Sequence, residues 1–477
     1  MCRLRNDSGT GQRAAALRRE DAQVQAAAAR WRSRLETLDR RASNGLTGFC
    51  ANAVLVTALL PYVSIVVQPS LDVQLMALAT SSAALLALFI LTPRLLTVCR
   101  MDIYVLGIGL ATLLYVVPDI AAIDPEATLR GCAPIVLAFP VYFAVRNLYR
   151  FMSPRVFAGT VFFYGLVLLI QLRAPAVYTA LFRHVLSDVR WTPETGRGPN
   201  VLCPEPSMMG NMCVLFAVSL YFFHRAYWQR HKTAARSVVA ASLLMLLLTK
   251  SATGVVLALA VALAGLLASR RPARTKAAIV ASLAASVLTL GALSSASEAR
   301  GSLILASIAR NPLLVLQDYS FGERCVGLFV GLYALPEAPL GSGDVRLNVG
   351  LTNKALNGTA AAYLWPDGTF RNFLVDITSV HSNNLGLGSM VQRMGLAGLI
   401  VAAALVLFVR GFAGAWAVRI FVIGLFLNAS LFMPTLWFVL GCSAELERLR
   451  NAGSADARRP NVAAAVVLEA PKKDAAR

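Results

Sequence analysis

The run VFAGTVFFYGLVLLIQL, Val156 to Leu172, holds no charged residue anywhere along its length. About 17–25 apolar residues cross roughly 30 Å of hydrocarbon as a helix, the form in which a single segment closes every backbone hydrogen bond internally. Similar blocks recur along the chain. Spans are predicted near 46–68, 71–91, 102–122, 130–145, 156–172, 207–223, 237–249, 252–268, 277–294 and 394–409. The stretch 419–442 reads as two short helices folded back at NASLFMPT. The expected fold is therefore all-α, a polytopic integral membrane protein of about twelve transmembrane helices.

Composition points the same way. Of 477 residues, 57% are hydrophobic and only 15% charged, with mean hydropathy +0.61, which takes the chain out of the soluble globular class. The net charge of +20 is confined to particular loops, which argues against a nucleic-acid partner. Arg94 and Arg100, RNLYRFMSPR at 146–155, HRAYWQRHKTAAR at 224–236, RRPARTK at 270–276, and Arg410 with Arg419 fall on every second loop. Short loops rich in Arg and Lys stay cytoplasmic, so both termini are expected on the cytoplasmic side.

Two segments on the opposite side are long, 173–206 and 295–393, and loops of that length in a compact protein usually carry function. The chain thus divides into a cytoplasmic Ala/Arg-rich helix at 1–45 and nine spans over 46–294. The outward segment 295–393 follows, then the last spans at 394–442 and a disordered cytoplasmic tail at 443–477. Four of the eight cysteines lie inside spans, where a thiol behaves as a small hydrophobe. Cys203 and Cys325 fall in outward segments, where an oxidising compartment would allow a bridge between them.

The first outward segment ends in GRGPNVLCPEPSMMG, Gly196 to Gly210. Pro206 suits a first helical turn and Glu205 suits the cap before it, which accounts for both without chemistry. Arg197 has no such explanation, because it places a cation on the side that otherwise lacks excess positive charge.

RGPNVLCPEPSMMG resembles the Arg, Gly, Glu-Pro-Ser and Gly signature of bacterial O-antigen and exopolysaccharide polymerases, whose superfamily includes the O-antigen ligases. Three further segments follow in the family's order. LLLTKSATGVVLALAVAL, from Leu246, is similar to a Ser-Arg-Thr-Gly turn between two spans, with Ala252 where the arginine is expected and Lys250 close before it. Arg324 with CVGLFVGLYALPEAPLGSG resembles an arginine, an amphipathic helix and a Gly-x-Gly turn in a large external loop. HSNNLGLGSMVQRMGLAGLI, from His381, resembles a His-Asn/Ser segment leading into a late span. His381 stands farther from Gly395 than in the ligase form, leaving Asn384 at that register, which tilts the resemblance toward polymerase.

The resemblance implies a GT-C-like inner-membrane glycosyltransferase with a large helical periplasmic loop covering a cavity open to lipid. Its substrate would be an oligosaccharide on undecaprenyl pyrophosphate, joined to a sugar hydroxyl on another carrier. Its partners would be membrane lipid, the lipid-linked glycan, a chain-length regulator and a flippase. The diphosphate gains charge as it leaves, so fixed cations favour the transition state over the ground state. Arg197 and Arg324 are the first candidates, with Lys250 and Arg393 behind them. Glu205 or His381 is the candidate base for the attacking hydroxyl. No DxD-like carboxylate pair accompanies these residues, so no metal or other cofactor is expected. A ligase, a transporter or flippase, and a non-catalytic assembly subunit are the competing classes. Against transport, ionisable residues lie only at the ends of the predicted spans, whereas ion-coupled carriers place them inside.

Overall fold

Ser153 and Pro154 start the helix that decides the architecture. The serine hydroxyl accepts from the amide of Arg155 (3.3 Å), and the proline occupies the first helical position, where a missing N–H costs nothing. The resulting helix, Pro154–Arg173, has 20 residues and therefore spans about 30 Å. Phe157, Thr160, Val161, Tyr164, Val167, Leu168 and Gln171 recur at helical spacing on its buried face. Phe162, Leu166 and Leu169 on the other face are 47–55% exposed, so the helix is apolar all round while burying only one side. A helix in water would carry a polar stripe there.

The computed structural model describes residues 45–63, 75–91, 93, 96–99, 101–107, 110, 139–182, 185–186, 198–269, 271–281, 319–341, 345–364, 387–388, 391, 394–408, 415–428 and 433–457. Among them all regular structure is helical; an isolated bridge between Val63 and Leu186 is the one β-type pairing. In chain order the first helices are α1 (Leu46–Leu59), α2 (Leu75–Leu91), α3 (Pro154–Arg173), α4 (Pro175–Phe182) and α5 (Pro206–Phe222). Next come α6 (Arg225–Arg230), α7 (Lys232–Leu248), α8 (Ala252–Ala268), α9 (Tyr319–Ala334), α10 (Val345–Asn357) and α11 (Thr359–Leu364). The last are α12 (Leu396–Phe408), α13 (Ala415–Asn428) and α14 (Pro434–Ala457). Unlabelled helical segments cover 101–107, 139–148 and 273–281.

Helix α5 is the axis. It packs against α7, α8 and α13, and every residue from Met209 to Phe216 is buried. Two glycines set its crossing with α8: a Cβ on Gly254 would sit 2.6 Å from the Gly210 Cα, and one on Gly210 would sit 2.8 Å from the Gly254 Cα. Backbones approach this closely only through small residues. Helices α9, α10 and α11 enclose a separate small core of Val326, Val330, Ala355, Leu356 and Ala361. Through α9 this cluster rests on α8 and α13.

One end of the bundle is tied by buried charges. Arg146 pairs with Asp102 (Nη1 to Oδ2, 2.9 Å) with both side chains at most 2% exposed, and Arg146 also donates to the Thr97 carbonyl. Tyr142 donates to the same carboxylate at 3.0 Å. Glu445 receives Arg150 at 2.7 Å and Arg448 at 2.7 and 2.8 Å. Beside them His224 stacks on Tyr149, ring centroids 4.8 Å apart. These residues come from loops, adjoining span ends and the C-terminal segment, all of which the charge pattern assigns to a single side.

Several expectations are corrected. Hydropathy predicts the first span to residue 68, but α1 ends at Leu59, because Leu60 precedes Pro61 and such a residue leaves the helical region. The break inside 419–442 does fall between Asn428 and Pro434. The second of those helices continues to Ala457, so residues 443–457 are not a disordered tail. Ser443, Ala444 and Glu445 are buried there, and the pairing of Glu445 with Arg150 holds the extension. Among the described residues one helix, α3, is by itself long and apolar enough to cross a membrane, and the remaining apolar helices are of 10–17 residues.

Candidate functional site

The segment leading into α5 adopts an unusual backbone. Val201 has φ +55°, a left-handed conformation that β-branched residues seldom take, because its Cβ crowds the following carbonyl. Buried hydrogen bonds hold it there. The Gln171 side chain accepts from the Val201 amide at 2.9 Å and donates to Asn200 Oδ1 at 2.7 Å. Tyr178 lies 3.3 Å from the same Asn200 oxygen and donates to the Val201 carbonyl. Asn200 in turn reaches the Pro204 carbonyl at 3.4 Å, and the Cys203 amide donates to Asn200 O at 2.9 Å. Burial pushes the Tyr178 hydroxyl and the Cys203 thiol well above their ordinary values, so both are neutral at physiological pH.

The loop ends at Glu205, whose extended backbone occupies the cap position of α5 with Pro206 at the first helical position. The carboxylate makes no capping hydrogen bond. It accepts instead from the Ser207 hydroxyl at 3.1 Å, so capping does not account for its presence.

Gly198 carries the loop onto the turn between α7 and α8. A Cβ at this position would overlap the Thr249 carbonyl and lie 3.1 Å from the Lys250 amide, a close approach that only glycine allows. Lys250 itself is left-handed, φ +50°, and exposed. Ser251 then caps α8, its hydroxyl accepting from the Gly254 amide at 3.1 Å. The first two motif segments are thus in backbone contact, with Lys250 at the seam.

The third and fourth motif segments meet in the same manner. A Cβ on Gly331 of α9 would lie 2.9 Å from the Gly388 carbonyl. Gly395 takes φ +56° where it abuts Pro339, and the Leu396 amide donates to the Pro339 carbonyl at 2.9 Å. Arg324 belongs to α9, which packs on α8, the helix that begins beside Lys250.

Of the residues singled out from sequence, Arg197, His381 and Arg393 lie outside the described residues, as does the side chain of Arg324. Glu205 and Lys250 are described and lie at the ends of the two contacting segments. Cys203 and Cys325 do not form a disulfide with each other. Cys203 sits in the main core 4.0 Å from the Met209 sulfur, whereas Cys325 packs on the satellite core. The segment leading into α5 is densely packed, with Asn200, Val201, Leu202 and Cys203 at most 1% exposed. Gln171 and Tyr178 were not singled out. A lone amide in LVLLIQLR, at the end of an apolar helix, was the available signal, since a buried amide demands partners.

No protein-family model, curated protein or solved structure matches this chain.

Proposed function

We propose that the chain is an integral inner-membrane glycosyltransferase of the polymerase type, with about twelve spans in a GT-C-like arrangement. It joins undecaprenyl-pyrophosphate-linked repeat units into O-antigen or exopolysaccharide on the periplasmic side. One observation carries the reading: the Gly198–Glu205 loop is docked on the Lys250 turn, so two segments that resemble the family's motifs are adjacent although far apart in sequence. Apolar residues on both faces of α3 support the membrane setting.

In this reaction an acceptor hydroxyl attacks the anomeric carbon while the bond to the lipid diphosphate breaks. The hydroxyl proton passes to Glu205 or His381, a step worth about 10²–10⁴-fold when the base is positioned. The electron pair leaves with the diphosphate, whose growing charge Arg197, Arg324, Lys250 and Arg393 would neutralise. The position of His381 relative to Gly395 favours polymerisation over ligation.

A transporter reading draws on one feature, the Asp102–Arg146 pair enclosed within the bundle. Replacing Arg324 with alanine separates the two. Loss of long lipid-linked glycan on a gel, at normal protein level, supports the enzyme. Unaltered length with defective lipid export supports transport and removes the polymerase reading.

A further inference from the structure

We infer that Gln171, Tyr178 and Asn200 are positioning residues, whose buried network holds the 198–205 loop against the Lys250 turn and so sets the candidate site. This inference rests on the polymerase reading only in naming what is positioned. The mechanical part stands on geometry alone.

Three observations combine. Val201 and Lys250 are two of the three non-glycine residues with positive φ among the described residues, and they occupy two loops in direct contact. A left-handed valine persists only where its surroundings over-determine it, and such residues gather at functional sites. Its amide and its carbonyl are both held by side chains from other elements, Gln171 of α3 and Tyr178 of α4. Gly198, three residues upstream, then meets Thr249 without room for a methyl group. The path runs from the end of α3 through Val201 to the backbone of Lys250, and every residue along it before the lysine is buried.

The other strong candidates carry less. The charged cluster at the opposite end has its carboxylates bonded within the cluster, which accounts for it as a tie between α14 and the 139–151 segment. The buried Asn211 amide has no hydrogen-bond partner among the described residues, but nothing described around it indicates a ligand.

Cysteine protection reads the network directly, because Cys203, Cys213 and Cys442 are all free and buried. Full-length protein in native membranes is treated with N-ethylmaleimide, and each cysteine peptide is quantified by mass spectrometry. Tyr178→Phe should speed alkylation of Cys203 about tenfold, the factor expected for losing one buried hydrogen bond, and Gln171→Leu, which removes two, should speed it more. Cys213 and Cys442 should stay protected. Gln171→Glu should behave as wild type, since a protonated carboxyl supplies both the donor and the acceptor of the amide. Unchanged Cys203 protection in both variants, or equal loss at all three cysteines, would overturn the inference; the latter would mark a general loss of stability. Glycan length measured on the same membranes tests the other reading separately. Selective Cys203 exposure keeps the positioning role whatever the glycan does, whereas unaltered glycan length in Arg324→Ala removes the polymerase.

Discussion

Gly198 is the residue on which the docking of the two loops turns. Gly198→Ala places a methyl group into the Thr249 carbonyl, between a turn whose Thr249 amide is bonded to Met245 O and a loop held at Val201 by Gln171. Glycan output is expected to fall at least about tenfold at unchanged protein level, the penalty of misplacing a group near the reacting atoms. Gly254→Ala acts differently, through overpacking at the crossing of α5 and α8. It should cost about 1–3 kcal/mol, read as a lower melting temperature in detergent. At this scale the sequence was legible by residue type alone. Arginine, glutamate and lysine among apolar runs stand out as candidates because membranes tolerate them poorly. Gln171 and Asn200 did not stand out as partners, since a hydrogen bond linking residues 29 apart leaves no local pattern.

At the scale of elements, the ion pairs at the basic end determine how the last helix is held. Asp102→Ala would strand Arg146, 2% exposed, without its carboxylate, and the expected loss is about 3–5 kcal/mol. Glu445→Ala should cost less, because Arg150 and Arg448 are 24% and 30% exposed and can turn toward water. Thermal unfolding followed by size-exclusion fluorescence would rank the two, and a larger effect of Glu445→Ala would contradict the account. In the satellite cluster, Glu337 lies 2.6 Å from Lys354 and raises the pKa of its ammonium through a hydrogen bond and charge attraction. A raised lysine contributes fully below its unfolded pKa near about 10.4 and loses that contribution only as pH rises through the folded value. Stability of this cluster should therefore not change with Lys354 ionisation between neutral pH and pH 9. Hydropathy located most of these helices, because long apolar runs with capping residues fix themselves locally. It missed the 443–457 extension, which is held in part by the distant Arg150, a partner that its own polar, Ala-rich sequence does not reveal.

For the whole molecule, the alternation of basic loops anticipated which segments share an end. Arg146, His224 and Glu445 lie in one cluster of contacts, while Gln171, Asn200 and Thr249 lie in another. Cysteines placed at His231 and at Lys250 should react with an impermeant reagent from opposite sides of sealed vesicles, His231 from the cytoplasmic side. Labelling of both from the same side would contradict the arrangement. What the sequence could not convey was how the four motif segments pair, since that depends on glycine contacts between elements. The central claim is that the docked loops serve transfer from a lipid diphosphate. Its most direct test is reconstitution of the purified protein in liposomes with undecaprenyl-pyrophosphate-linked repeat units, following glycan length over time. The account predicts stepwise lengthening by the wild type and loss of lengthening in Lys250→Ala and Arg197→Ala, with folding intact. Undiminished lengthening in both variants, or none in the wild type with matched substrate, would contradict it.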